Sequence, residues 1–411
     1  MHWGKLISIT GGAQVIVQAV GFVCGILIIR LLPVQEYAFY TLANTMLGTM
    51  TVLADGGISS GVMSQGGKVW QDKEKLGAIL ATGLDLRRKF AIGSLLISVP
   101  ILFYLLIYNN ASWITASLIT LSLIPTFFAA LSDSLLEIAP KLHQSITPLQ
   151  KNQVMVGVGR LLLSGLFLFI FPWAFLAILA TGIPRIYGNL KLKKIASVFI
   201  DDNQSPDPLI RKEILTLVQR TMPESMYYCI SGQLTVWLIS IFGSTASLAH
   251  LGALSRFGVV TSLFSILFMT LIVPRFARLP NVKLLLYNKI GYILLGGVIL
   301  SAFIITMVWF FSNQVLWLLG DQYAGLNKEF ILIIVGSCIT LIQGFFFSIN
   351  LSKGWAIKPI PYILISLTTT LLAAIFINLS TLYGIIIFNI IISIIQALVF
   401  ICYCFFRISR L

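Results

Sequence analysis

Apolar residues along this chain come in runs of about 20, broken by short polar stretches, and do not alternate with polar residues in the manner of a half-buried strand. A helix needs roughly 20 apolar residues to cross the hydrocarbon of a bilayer. The runs predict twelve membrane-spanning helices. Six lie in the N-terminal half, at residues 7–32, 37–63, 90–108, 112–138, 152–171 and 173–190. Six lie in the C-terminal half, at 215–243, 246–274, 287–311, 330–351, 359–378 and 381–405. Between them, Asp201-Asp202-Asn203-Gln204-Ser205-Pro206-Asp207-Pro208 has the composition of a linker. The pattern predicts an all-α polytopic membrane protein. Its expected parts are an N-terminal six-helix lobe (1–195), a cytoplasmic linker (196–214) and a C-terminal six-helix lobe (215–411). The first apolar run extends to Leu32 and no A-x-A-like site follows it, so it reads as an uncleaved helix and not a signal peptide.

Composition excludes a soluble fold. The chain is 58% hydrophobic and 10% charged, where soluble domains carry about 25% charged residues. The net charge of +14 does not indicate nucleic acid, because the basic residues flank apolar runs. With the N-terminus placed in the cytoplasm, all but four of the 28 lysines and arginines fall on cytoplasmic segments. Lys68, Lys73, Lys75, Arg87, Arg88 and Lys89 are assigned to the loop between helices 2 and 3. Arg185, Lys191, Lys193, Lys194, Arg211, Lys212 and Arg220 are assigned to the linker and its edges. Arg30 and Lys328 are outside, and Arg160 and Arg256 fall within helices. Both termini are then cytoplasmic. An even number of helices per half makes the halves parallel repeats about an axis along the membrane normal, and placing Gly21 on Gly232 aligns them without gaps. The outer loops are short. The longest, 312–329, carries an apolar segment, 315–319, expected to lie in the interface. None is large enough for a catalytic domain, so no enzyme is expected. Cys24, Cys229, Cys338, Cys402 and Cys404 read as small buried hydrophobes. The histidines are scattered, and no metal or cofactor is implied.

Several motifs bear a resemblance. Arg30-Leu31-Leu32-Pro33-Val34-Gln35-Glu36-Tyr37-Ala38-Phe39-Tyr40 resembles the first outer turn of polysaccharide flippases, and Ala54-Asp55-Gly56-Gly57 their second-helix "D-x-G" stretch. Met222-Pro223, Gly252-Ala253-Leu254-Ser255-Arg256-Phe257, Val273-Pro274-Arg275-Phe276 and Leu319-Gly320-Asp321-Gln322-Tyr323 follow in that family's order. The chain is thereby similar to Wzx-type O-antigen or capsular polysaccharide flippases of the multidrug/oligosaccharidyl-lipid/polysaccharide (MOP) exporter superfamily. The resemblance implies two six-helix lobes around a central cavity, as in MATE transporters, in a bacterial cytoplasmic membrane. The implied substrate is an undecaprenyl-pyrophosphate-linked oligosaccharide. Membrane lipids and glycan-assembly proteins are the implied partners. Coupling to a cation or proton is left open.

Such a substrate calls for cationic groups and polar groups held at membrane depth. A charge there costs about 2.5–3.5 kcal/mol even on lenient scales, so each is a candidate. Asp55 lies in helix 2, Asp133 and Glu137 in helix 4, Arg160 in helix 5, Glu224 in helix 7 and Arg256 in helix 8. Asp133 and Arg160 could instead form an ion pair locking helices 4 and 5. Asp55 could bond a neighbouring helix, and Glu137 could be solvated at a helix end. No acidic residue is evident in the sequence at the depth of Arg256 in its own lobe, and it is the leading pyrophosphate candidate, guanidinium being matched to phosphate geometry. Arg30 is a weaker, exit-side candidate. Gln14, Gln18 and Gln233 either bind sugar hydroxyls or join helices. Gly21-xxx-Gly25 and Gly57-xxx-Gly61 permit close helix approach, and Pro100, Pro125, Pro223 and Pro274 can kink helices. Three rivals remain: a MATE-type multidrug or cation-coupled efflux transporter, a membrane glycan polymerase or ligase, and a non-transporting scaffold.

Overall fold

The computed structural model describes residues 2–411 apart from 278, 281, 354, 356 and 358. The side chains at 2–14, 220, 221, 223–225, 228, 270, 271, 274, 277 and 359 also lie outside the described set. Each of the twelve predicted spans falls on helical backbone, and no strand occurs among the described residues. Seven helical stretches among those residues are long and apolar enough to cross a bilayer. They are Lys73–Tyr108, Trp113–Leu142, Ile146–Ile170, Thr245–Met269, Lys283–Leu319, Asn327–Ser352 and Leu382–Ser409. Large apolar side chains lie on their outer surfaces, with Phe169 83% and Ile114 74% exposed. Water would penalise such a surface and hydrocarbon does not. The chain is an all-α, multi-pass membrane protein.

The chain divides into two compact units, Met1–Ile241 and Phe242–Leu411. The first contains α1 (His2–Leu31), α2 (Val34–Asp55), α3 (Ile58–Lys68), α4 (Lys73–Tyr108), α5 (Trp113–Leu136), α6 (Ile138–Leu142), α7 (Ile146–Ile170), α8 (Ala174–Ala196) and nearly all of α9 (Pro208–Phe242). α5 packs on α8, α8 on α7, α7 on α1, and α2 on α4. Glycines face the partner helix in two of these contacts: a methyl group at Gly182 of α8 would run into Thr126 of α5, and one at Gly159 of α7 would lie 3.1 Å from Pro184 of α8. One at Gly61 of α3 would lie 3.0 Å from Ile214 of α9. Gly21 has open space around it, so the expected close packing at that end of the first glycine motif is absent. α2 and α3 are one predicted span broken at Gly56 and Gly57, whose φ values of 49° and 98° suit glycine and few other residues.

Residues 197–207 lie against one end of this unit. The Asp201 N–H donates to Lys73 O (3.0 Å), and the Asp207 N–H to Thr82 Oγ1 (2.9 Å). At this linker end Ile58, Val62, Leu76, Ile79, Leu80, Leu135, Ile138, Ile214 and Val218 form a buried apolar cluster. At the opposite end Glu36 Oε2 accepts the Ala174 N–H (2.7 Å), capping the start of α8 from α2. There too Asn109 Nδ2 donates to Ser240 Oγ (2.9 Å), tying α4 to α9.

The second unit contains α10 (Thr245–Leu254), a 3₁₀ turn (Ser255–Phe257), α11 (Gly258–Leu271), α12 (Val273–Ala277), α13 (Lys283–Leu319), a second 3₁₀ turn (Asp321–Tyr323), α14 (Asn327–Ser352), α15 (Pro359–Phe376) and α16 (Leu382–Ser409). α14 is central within it, packing on α16, α13 and α11. An amide chain crosses three helices: Gln343 Nε2 donates to Gln396 Oε1 (3.0 Å), and Gln396 Nε2 to Ser366 Oγ (2.9 Å).

Two expectations about element ends are corrected. The basic stretch before residue 90 is not a loop. α4 starts at Lys73, where Asp72 Oδ1 accepts the N–H groups of Glu74 and Lys75 (both 3.1 Å). The Lys75 N–H is the main reason the Asp72 carboxyl sits below the usual carboxylate range. Residues 312–319, expected in the longest outer loop, are instead the end of α13. Pro100 and Pro125 lie inside unbroken α4 and α5. Cys402 is exposed, whereas the other four cysteines are buried as expected.

Candidate functional site

The described charges at membrane depth in the first unit form two networks and leave one residue over. The first network centres on Arg87. Its side chain is only 4% exposed, and it sits on α4 one helical stripe from the linker-end cluster. Nη2 donates to Asp55 Oδ1 and to Ser59 Oγ (2.5 Å). Nη1 donates to Ser134 Oγ (2.7 Å) and to the Leu131 carbonyl. Asp55 Oδ1 also accepts the Ser59 N–H (3.1 Å) and hydroxyl (2.7 Å). Asp55 is the last residue of α2, and Ser59 is in the first turn of α3. The carboxylate therefore bridges the break at Gly56-Gly57 while the guanidinium ties both pieces to α4 and α5. One edge of Asp55 stays open, its side chain being 30% exposed.

The second network lies on α5 and α8. Asp133 pairs with Arg185 Nε, and not with Arg160. The expected lock between helices 4 and 5 is thus a lock between α5 and α8, whose extensive packing carries Arg185 past Asp133. Glu137, one turn on, pairs with Lys141 (2.7 Å) and accepts Gln153 Nε2 (3.0 Å). It is a bonded side chain, not a solvated one.

Arg160 is the residue left over. It sits past the middle of α7, roughly 15 Å from Ile170 at 1.5 Å rise per residue. Gly157 and Ser164 share its helical stripe. A methyl group at Gly157 would lie 3.4 Å from Val20, and Ser164 Oγ meets Cys24 Sγ at 3.7 Å, so this stripe faces α1. Among the described residues no carboxylate pairs with Arg160, and its Nε is buried with no hydrogen-bond partner.

The remaining candidates are dispersed. Arg256 lies in the 3₁₀ turn between α10 and α11, half-buried, in the second unit. Arg30 is exposed in the last turn of α1. Gln18 is half-buried on α1. Gln233 is half-buried on α9, its amide nitrogen 3.5 Å from where a Gly48 methyl would be. Trp237, one turn beyond Gln233, has a buried Nε1 with no partner. The side chains of Gln14 and Glu224 lie outside the described residues. Among the described residues no three His, Cys, Asp or Glu side chains gather as a metal site would require.

Sequence reasoning missed Arg87 and Arg185 as intramembrane partners, because both stand next to basic clusters and were counted with the flanks. Ser59 and Ser134 carried no signal at all. The signal for Arg87 was its neighbourhood: a lone Asp within one apolar run needs a cation at the same depth, and Arg87, Arg88 and Lys89 together stand at the start of the next run.

No family profile and no curated protein sequence matches the chain. Solved structures do. A multidrug resistance MATE family transporter of the MOP superfamily, in an inward-facing conformation, superposes with a TM-score of 0.73. The two are 15% identical over 96% of this chain and 95% of that one. The lipid II flippase MurJ, in an inward closed conformation, gives a TM-score of 0.75 at 14% identity over 97% and 87%. A MOP superfamily transporter from Pyrococcus furiosus, described as having a binding pocket of reverse polarity that suggests a different function, gives 0.58 at 15% identity over 98% and 94%. At these identities the likeness establishes architecture: the chain has the fold of MOP superfamily transporters.

Proposed function

We propose that this protein is a flippase that moves a lipid-linked oligosaccharide, of the undecaprenyl-pyrophosphate class, across the bacterial cytoplasmic membrane by alternating access. Its product feeds cell-surface polysaccharide assembly. Two six-helix lobes, 1–195 and 215–411, joined by 196–214, carry the motion in this reading. The observation that supports it is the charge balance in the first unit. Asp55 and Asp133 are each neutralised by an arginine, and among the described residues Arg160 pairs with no carboxylate. A half-buried guanidinium whose Nε has no hydrogen-bond partner suits an anionic group crossing the membrane, and pyrophosphate matches its geometry. Arg256 is assigned the same role in the second unit. Gln233, Trp237 and Gln18 offer donors to sugar hydroxyls.

In proteoliposomes, Arg160→Ala is expected to slow translocation of a fluorescent polyprenyl-pyrophosphate glycan roughly 10- to 100-fold, the worth of one charge-assisted contact. Membrane yield and thermal stability are expected to stay unchanged. Arg256→Ala should behave alike. Wild-type rates in both variants would rule out the assignment, as would losses that simply track melting temperature.

One observation favours the MATE-type reading. The open edge of Asp55 is a carboxylate that a proton or cation can reach. If the same proteoliposomes move organic cations and not the lipid-linked glycan, and Asp55→Asn stops them, that reading replaces the first. The solved structures named above are two transporters and a flippase, which supports transport over a glycan polymerase or ligase.

A further inference from the structure

At the linker end of the first unit, α8 carries a surface feature that none of the transport residues uses. Tyr187, Leu190, Lys191, Lys193, Lys194 and Ser197 line a cleft of about 620 Å³, closed on one side by Asp202. Tyr187, Leu190, Lys191 and Lys194 are spaced i, i+3, i+4 and i+7, so they form one face of the helix. The opposite face is committed to packing: Pro184, Gly188, Leu192 and Ala196 are buried. The lined face is open, with Tyr187 60% and Leu190 62% exposed. Ile183 and Ile186 extend the exposed apolar surface toward the middle of α8.

We propose that this cleft is a binding site for an anionic phospholipid of the bilayer leaflet at the linker end. Its phosphate would sit among the ammonium groups of Lys191, Lys193 and Lys194. The acyl chains would run along Leu190, Tyr187 and Ile183. Charge complementarity carries the choice of occupant. Three lysines against one aspartate leave an excess of positive charge in a concave site, where zwitterionic lipids have no net charge to offer. Lysines in the last turn of a helix also complement its dipole, but that role needs neither the cleft nor the apolar track leading into it. Asp202 opposes a second negative charge, so a singly charged lipid is the better fit. The site stands apart from Arg160 and does not depend on the transport reading.

The test is lipid retention by the delipidated, full-length protein in native mass spectrometry, with phosphatidylglycerol and phosphatidylcholine of identical chains as probes. Phosphatidylglycerol is expected to bind more tightly, and each of the three Lys→Gln changes to weaken it about fivefold. Asp202→Asn is expected to tighten it by a similar factor. Equal binding of the two lipids would overturn the proposal. So would an equal loss when Lys68, Lys75 and Lys89 are neutralised instead, since that would reveal only surface charge. An Asp202→Asn variant with unchanged or weaker binding would overturn it as well. All four residues of the cleft to be varied are exposed, so the fold is not at stake.

Discussion

The two arginine–aspartate pairs of the first unit differ in burial, and this decides what each contributes. Arg87 is 4% exposed and makes bonds to four groups on three helices, whereas Arg185 is 39% exposed and Asp133 24%. Removing one member of a buried pair leaves the other uncompensated and costs about 3–5 kcal/mol. A pair open to solvent is worth about 1 kcal/mol or less. Arg87→Ala is therefore expected to lower the thermal stability of the purified protein far more than Arg185→Ala. The double change Arg87→Ala with Asp55→Ala should recover part of the loss, because no orphan carboxylate remains. Exchanging the charges at Asp133 and Arg185 should be close to neutral. Equal destabilisation by Arg87→Ala and Arg185→Ala would show that burial is not what separates the two pairs. The presence of Asp55 and Asp133 at membrane depth was legible in the sequence, because a carboxylate inside an apolar run stands out. Their partners were not. Which cation reaches Asp133 depends on α5 packing against α8, and no spacing along the chain encodes that. Arg160, nearer by sequence, points along the stripe that faces α1.

Helices were legible as bodies and obscure at their ends, for a reason that α4 and α13 make plain. Hydropathy finds the stretch in lipid, and a helix does not stop where lipid does. Lys, Glu and Arg are good helix formers, so the run from Lys73 to Lys89 continues α4 below the apolar span. Only the Asp72 cap marks its start, and it could have been read as one, since Asp is a preferred N-cap. Polar side chains within spans posed the opposite difficulty. Gln343, Gln396 and Ser366 attracted no notice singly, yet they connect α14, α16 and α15 in one hydrogen-bonded chain. Gln396 is both acceptor and donor at its centre. Gln396→Leu is expected to cost about 1 kcal/mol, within the range for interhelical bonds in membranes. The double change Gln343→Leu with Gln396→Leu should cost less than the sum of the two single changes. Strict additivity in unfolding measurements would show that the three side chains act independently.

At the scale of the whole chain, the asymmetry of basic residues predicts which side of the membrane each loop faces, and the structure makes that prediction sharp enough to test with two positions. Asn203 is exposed in the linker, among the segments where lysine and arginine collect. Ala324 is exposed in the short connection after α13, flanked by few basic residues. The positive-inside tendency assigns Asn203 to the cytoplasm and Ala324 to the far side. Withdrawing Arg87 from the count, now that it is a buried ion-pair member, leaves the bias intact, because Lys68, Lys73, Lys75, Arg88 and Lys89 remain around it. Cys402 is the exposed cysteine among the described residues, so a Cys402→Ser background leaves little competing reactivity. In that background Ala324→Cys should react with a membrane-impermeant maleimide on intact spheroplasts, and Asn203→Cys only after the membrane is opened. The reverse pattern would invert the orientation. Labelling of both positions from one side would mean an odd number of crossings between residues 203 and 324 is wrong, and with it the assignment of α9, the α10–α11 segment and α13 as three successive spans.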